Sequence, residues 1–159
     1  MDFFDALQVS SSGLSAQRLR MNLISANLAN MNTTRTKAGG PYRRKDPVFA
    51  AQAPASSFRE MLHHRQREML TKVAVIGIVE DSRKPVRKYD PQHPEADKNG
   101  YVAMPNINVM EEMVNMISAT RSYEANVSAL KAAMALALKA LEIGQYSGIN
   151  LHFKTDWNP

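Results

Sequence analysis

From Val109 onward, residues able to line an interface recur at alternating steps of four and three: Val109, Met113, Met116, Thr120, Tyr123, Val127, Leu130, Met134, Ala137 and Leu141. A 3.5-residue repeat keeps one stripe facing a partner along a whole helix and favours left-handed supercoiled packing. The start of this helix is marked by Asn108, a good N-cap, with Glu111 three residues on. Glu111 and Glu112 put negative charge in the first turn, where the helix dipole favours it. Gly144 is the expected left-handed C-terminal cap. Such a helix is about 50 Å long at 1.5 Å per residue. A compact globule of 159 residues rarely contains one of that length.

A weaker stripe runs near the start of the chain through Leu7, Ser10, Leu14, Gln17, Met21, Ile24, Leu28 and Met31, with Phe3 one step further back. Full burial stabilises each large apolar side chain by roughly 1.5–3 kcal/mol, so neither stripe is left in water cheaply. The two ends are therefore expected to pair as a coiled-coil hairpin, antiparallel or parallel, closed by the middle of the chain. Ser10, Gln17, Thr120 and the seam methionines make that pair adaptable rather than self-sufficient. Full ordering of both helices is expected once neighbouring chains cover their outer faces. On periodicity alone, an ordinary helical hairpin whose seam is only its own core competes with this reading.

Turn and strand signals collect between the helices. Lys72 to Val79 is the clearest strand, with Val48-Phe49 and Val86 to Tyr89 weaker ones. Asp90-Pro91 and His93-Pro94 disfavour helix, Asn99-Gly100 supplies a tight turn, and Tyr101-Val102 is the short strand that leaves it. Pro105 stops the last helix from growing backward. The expected fold is mainly α with a small β region. An N-terminal helical segment at 1–36 precedes an extended and β middle at 37–104, a C-terminal helix at 105–145 and a flexible tail at 146–159. A docking extension is the alternative for that tail, which holds Phe153 and Trp157.

Zero cysteines exclude a disulfide framework and a thiolate site, and suit a protein working outside the reducing cytoplasm. Met1-Asp-Phe-Phe-Asp5 is acidic where a secretory leader needs positive charge, so no cleavable signal is expected. Ala132 to Leu138 is the longest uncharged apolar run, far short of the roughly 20 residues that span a bilayer. The net charge of +5 raises nucleic acid as a partner. Lysine and arginine cluster at 35–45 and 59–88 without the interleaved aromatics of a single-strand binder, and no zinc-finger spacing occurs.

Glu60, His64 and Glu68, with His63 beside them, share one face of a short predicted helix and raise the possibility of a metal-dependent enzyme. Arg59, Arg65 and Arg67 repel a cation there, so a solvated amphipathic helix is the expectation, and no cofactor is expected. Ser10-Ser11-Ser12-Gly13 lies in a helical seam and has no nucleophile-elbow context. Gly39-Gly40 follows a helix, whereas a phosphate loop follows a strand and opens a helix. No catalytic constellation is present in the sequence.

The stretch Ser25 to Thr36, SANLANMNTTRT, resembles the N-terminal signature of flagellar rod, hook and related axial proteins, an Asn-Leu-Ala-Asn box at a helix end followed by threonine. Asn27 and Asn30, flanking Leu28 and Ala29, are placed to hydrogen-bond a neighbour, with Thr33 beyond them. Lys88 to Asn126 is similar to the stretch of a proximal-rod member that leads into its last helix. The features that carry this are Tyr89, Asp90-Pro91, Asn99-Gly100, Tyr101-Val102, Met104-Pro105-Asn106, Met113, Met116, and Arg121-Ser-Tyr123-Glu-Ala-Asn126. Gly39 to Lys45, containing Pro41 and Tyr42, is a third match. The resemblance implies a structural subunit of the proximal rod, exported through the flagellar type III apparatus and assembled in the periplasm. Its partners would be copies of itself, other rod proteins and components near the MS ring. The alternatives are another rod or hook subunit and, further off, a basic nucleic-acid-binding helical protein.

Overall fold

The computed structural model describes residues 3–52 and 71–149. Its elements in chain order are α1 (Phe3–Ala29), β1 (Lys45–Gln52), β2 (Lys72–Glu80), β3 (Val86–Tyr89), β4 (Tyr101–Met104) and α2 (Val109–Ile149). The architecture is mainly helical with two small antiparallel strand pairs, as the sequence patterns lead one to expect.

Asn108 caps α2 as expected, its Oδ1 accepting the backbone N–H of Met110 at 3.0 Å and of Glu111 at 3.4 Å. The other end differs from expectation. Gly144 is not a cap: α2 continues through it to Ile149, and the positive-φ residues among those described are Gly39, Gly40 and Gly100. A glycine inside a helix costs about 1 kcal/mol against alanine, too little to stop a 41-residue helix in which the run before it, residues 129–142, is made of Ala, Leu, Lys, Met and Glu. Residues 146–149 therefore continue the helix, while the remainder of the expected tail lies outside the described residues. The Glu60, His63, His64 and Glu68 cluster lies outside them too.

The helices run in opposite directions. Asn27 meets Glu112, Met21 meets Thr120, and Gly13 meets Asn126. On its other side α1 carries the β1–β2 ribbon, in which Lys45 pairs with Glu80 and Gln52 with Lys72. The ribbon is pinned near both ends: Asn27 holds the Lys45 main chain, and the Val73 N–H donates to Ser12 Oγ at 3.1 Å. About 22 Å of helix between Ser12 and Asn27 is close to the roughly 20 Å of strand from Lys45 to Ala51, the partner of Val73. A bulge at Val48/Phe49 interrupts the ladder. The second pair sets Val86 against Met104 and Tyr89 against Tyr101.

With α2 on one side and the ribbon on another, α1 buries Ala16, Ile24 and Asn27 and half-buries Leu7, Ser10, Leu14, Gln17, Met21 and Leu28, as its stripe predicts. In α2 the expected seam is corrected. Met116, Thr120, Tyr123, Val127, Leu130 and Ala137 are at least half-buried, but Val109, Met113, Met134 and Leu141 are exposed. The interface is centred instead on Glu112 and Ala119. A straight helix drifts by about 20° per heptad from a 3.5-residue stripe, and close approach to α1 selects small residues over methionine. The apolar core is accordingly thin. Among the described residues the two largest fully buried side chains are both polar, Glu112 and Asn27.

Candidate functional site

Asn27 ends α1's buried stripe, and its amide is saturated. Nδ2 donates to Lys45 O and to Glu112 Oε2, each at 3.0 Å; Oδ1 accepts Lys45 N–H at 2.9 Å and the Tyr42 hydroxyl at 3.1 Å. Glu112 is fully buried in the first turn of α2, and its other oxygen accepts Arg44 Nε at 2.6 Å. Arg44 is also bonded to Asp46. One clasp thereby joins the end of α1, the start of α2 and strand β1. Burial opposes the Arg44 charge, but the Glu112 hydrogen bond and the carboxylates of Asp46, Glu112 and Glu111 outweigh it and hold the guanidinium above its ordinary pKa. The Tyr42 phenol is likewise raised, by burial first and then by Glu80 and Glu112. An unpaired buried charge is expensive, so this cluster is cohesive only as a complete set.

The box asparagines were expected to reach a neighbour. Instead Asn27 spends its amide within its own chain, and Asn30 closes the helix locally, donating to Ala26 O at 2.9 Å and accepting Thr33 Oγ1 at 3.1 Å. Ala29 is exposed and Leu28 half-buried. Beyond the helix, Tyr42 N–H returns to Thr33 O at 3.0 Å, which brings half-buried Pro41 back to the helix end.

The second motif builds a separate feature. Tyr89 and Tyr101 stack edge-to-face at 5.3 Å, Arg87 lies over the Tyr101 ring at 4.9 Å, and Arg87 pairs with Asp97. Asp97 also accepts the N–H groups of Tyr101 and Asn99, and these bonds, Tyr101's foremost, hold its carboxyl below the ordinary value. Gly100, at φ +78°, closes the turn under Tyr89. Pro105 is buried, and Asn106 donates to Lys84 O at 3.3 Å. Arg121 is exposed, and Asn126 donates to Ser122 O while resting on Gly13.

Near its start, on the side opposite Glu112 and Ala119, α2 shows solvent an apolar stripe of Met110, Val114 and Ile117 with Met113 at its edge; near its end Leu136, Leu138, Leu141 and Ile143, spread over more than one face, are 63–72% exposed. Among the described residues there is no cluster of three or more metal-ligating side chains, and no helix is long and apolar enough to cross a membrane. A depression of about 440 Å³ beside Leu7, Ser11, Ser15 and Lys72 is open and holds no paired nucleophile and base.

Sequence reasoning missed Glu112, Arg44 and Asp46. A signal existed: Glu112 lies four and seven residues before Met116 and Ala119, hence on the inward face of a 3.6-residue helix.

A family model described as flagella basal body rod protein matches residues 7–37, and one described as flagellar basal body rod FlgEFG protein C-terminal matches residues 98–143. Two long terminal helices bearing these matches define an axial protein of the flagellum. Among curated relatives, "flagellar basal-body rod protein FlgC" of Bacillus subtilis is 43% identical over 91% of this chain and 100% of its own length. The Borreliella burgdorferi protein of the same name is 40% identical over 91% and 99%, and that of Salmonella typhimurium 36% over 91% and 100%. The chain belongs to the FlgC family of flagellar basal-body rod proteins, which are structural subunits and not enzymes.

Proposed function

We propose that the chain builds the proximal rod by polymerising through its terminal helices, which pack as a coiled-coil hairpin and join those of neighbouring subunits in an inner tube. The observation that carries this reading is the apolar stripe of α2 turned away from α1. Val114 is 65% exposed, Ile117 54% and Met110 70%. A contiguous exposed stripe of this kind marks a surface awaiting cover, and its helical period fits another helix. Copies of this chain and other rod proteins supply that cover. Non-closing helical contacts make a shaft, and the ribbon and β3–β4 hairpin make outer contacts that resist torsion. The chain reaches the periplasm through the flagellar type III apparatus without signal cleavage and assembles between the MS ring and the distal rod.

A strain deleted for this chain tests the proposal. It should be non-motile and lack rods in isolated basal bodies, with both restored by the gene in trans. Swimming cells with intact rods would rule it out.

A further inference from the structure

Most of the α1–α2 interface does not specify how far one helix is slid along the other. Ala16 and Ala119 are small, Met21 and Thr120 make a long 3.6 Å contact through a flexible thioether, and the buried Oε1 of Gln17 has no partner at all. A shift of one heptad leaves such a surface about as well packed. The Arg20–Asn115 contact, at 3.4 Å and only part-buried, discriminates weakly.

The clasp behaves differently. Asn27 Nδ2 and Arg44 Nε both demand an acceptor from α2, and Glu112 supplies both oxygens from a site closed to water. The residues one heptad away on either side, Pro105 and Ala119, have no side-chain acceptor. In either slipped arrangement Arg44 loses its buried carboxylate and Asn27 one of its acceptors. Leaving buried donors unpaired is far more costly than exchanging one small apolar contact for another.

We propose that Glu112 is a positioning residue that, through Asn27 and Arg44, fixes the axial register of α1 against α2 and excludes heptad-shifted pairings that the rest of the seam tolerates. The role concerns the single chain and holds whether or not the chain polymerises.

The chain has no cysteine, so introduced pairs report without background. Met21→Cys with Thr120→Cys marks the native register. Met21→Cys with Val127→Cys, or with Met113→Cys, marks a slip of one heptad, about 10 Å along the axis, beyond the reach of a disulfide. In the full-length protein at low concentration, the native pair should close under mild oxidation while both shifted pairs stay reduced. Adding Arg44→Met with Glu112→Leu should keep the helical circular dichroism and let the shifted pairs close to a comparable extent. If that background is folded and only the native pair closes, the proposal is overturned. If it does not fold, Glu112→Gln decides. The native-to-shifted closure ratio should fall by about tenfold as the charged bond to Arg44 is lost, and an unchanged ratio overturns the proposal.

Discussion

The amide of Asn27 donates to the carboxylate of Glu112 at 3.0 Å across 85 residues of chain, and the same amide brackets the main chain of Lys45. One short side chain thus holds three elements together. Asn27→Ala strands the carboxylate oxygen, the Lys45 N–H and the Tyr42 hydroxyl in a closed site. It should lower stability by about 2–4 kcal/mol in urea unfolding followed by circular dichroism. Asn27→Asp should be worse at neutral pH, because it sets a second carboxylate against Glu112, and should recover part of the loss as pH falls into the carboxylate range.

Gly13 lets α1 and α2 approach closely at Asn126. A Cβ there would lie 3.1 Å from Asn126 Nδ2 and 3.3 Å from its Cγ and Oδ1. Gly13→Val has to push α2 outward or break the Asn126 bond to Ser122, and should lower the thermal midpoint by the equivalent of about 1–3 kcal/mol despite valine's better helix propensity.

Gly100 is constrained twice. Its φ of +78° suits glycine, and a Cβ would stand 2.9 Å from Tyr89 Cε2 and 3.2 Å from Pro91 Cβ. Gly100→Ala should cost about 2 kcal/mol and act locally, with hydrogen exchange accelerated at Tyr89 and Tyr101 while the amides of α1 keep their protection.

Tyr42 gives the fold an alkaline limit. Its phenol is raised by burial and by Glu80 and Glu112, so folding favours the neutral form. That contribution is complete below the unfolded tyrosine value of about 10 and fades as pH rises through the higher folded value. Tyr42→Phe should be less stable by about 1 kcal/mol at neutral pH through the lost bond to Asn27. The gap between the two proteins should narrow above about pH 10, as read in melting curves across that range.

Much of this architecture is legible in the sequence because local rules decide it. Asn108 caps α2, Gly100 takes the left-handed turn, and the run from Lys72 to Val79 forms β2. The α1 stripe is legible too, since α1 is covered on two sides and most of its apolar residues turn inward. The α2 stripe misleads, because that helix carries apolar residues on two faces and periodicity alone does not say which one α1 takes. The choice is made by Ala119 and Glu112, a small residue and a charged one, which a hydrophobic pattern passes over. Glu112 reads in sequence as a helix-dipole charge. Its partner Arg44 lies 68 residues away, a pairing that no local rule contains. Gly144 misleads for the opposite reason, a cap residue in a helix that does not end there.

The central claim is that the outward stripe of α2 is covered by neighbouring subunits. Val114→Asp with Ile117→Asp places two charges on that stripe, at positions 65% and 54% exposed, without touching the clasp. The most direct measurement expresses this variant in the deletion strain, verifies its fold in the purified protein by circular dichroism and thermal melting, and images isolated basal bodies. The account predicts a folded, exported subunit that is absent from rods, in cells that do not swim. Rods of normal length containing the variant would contradict it.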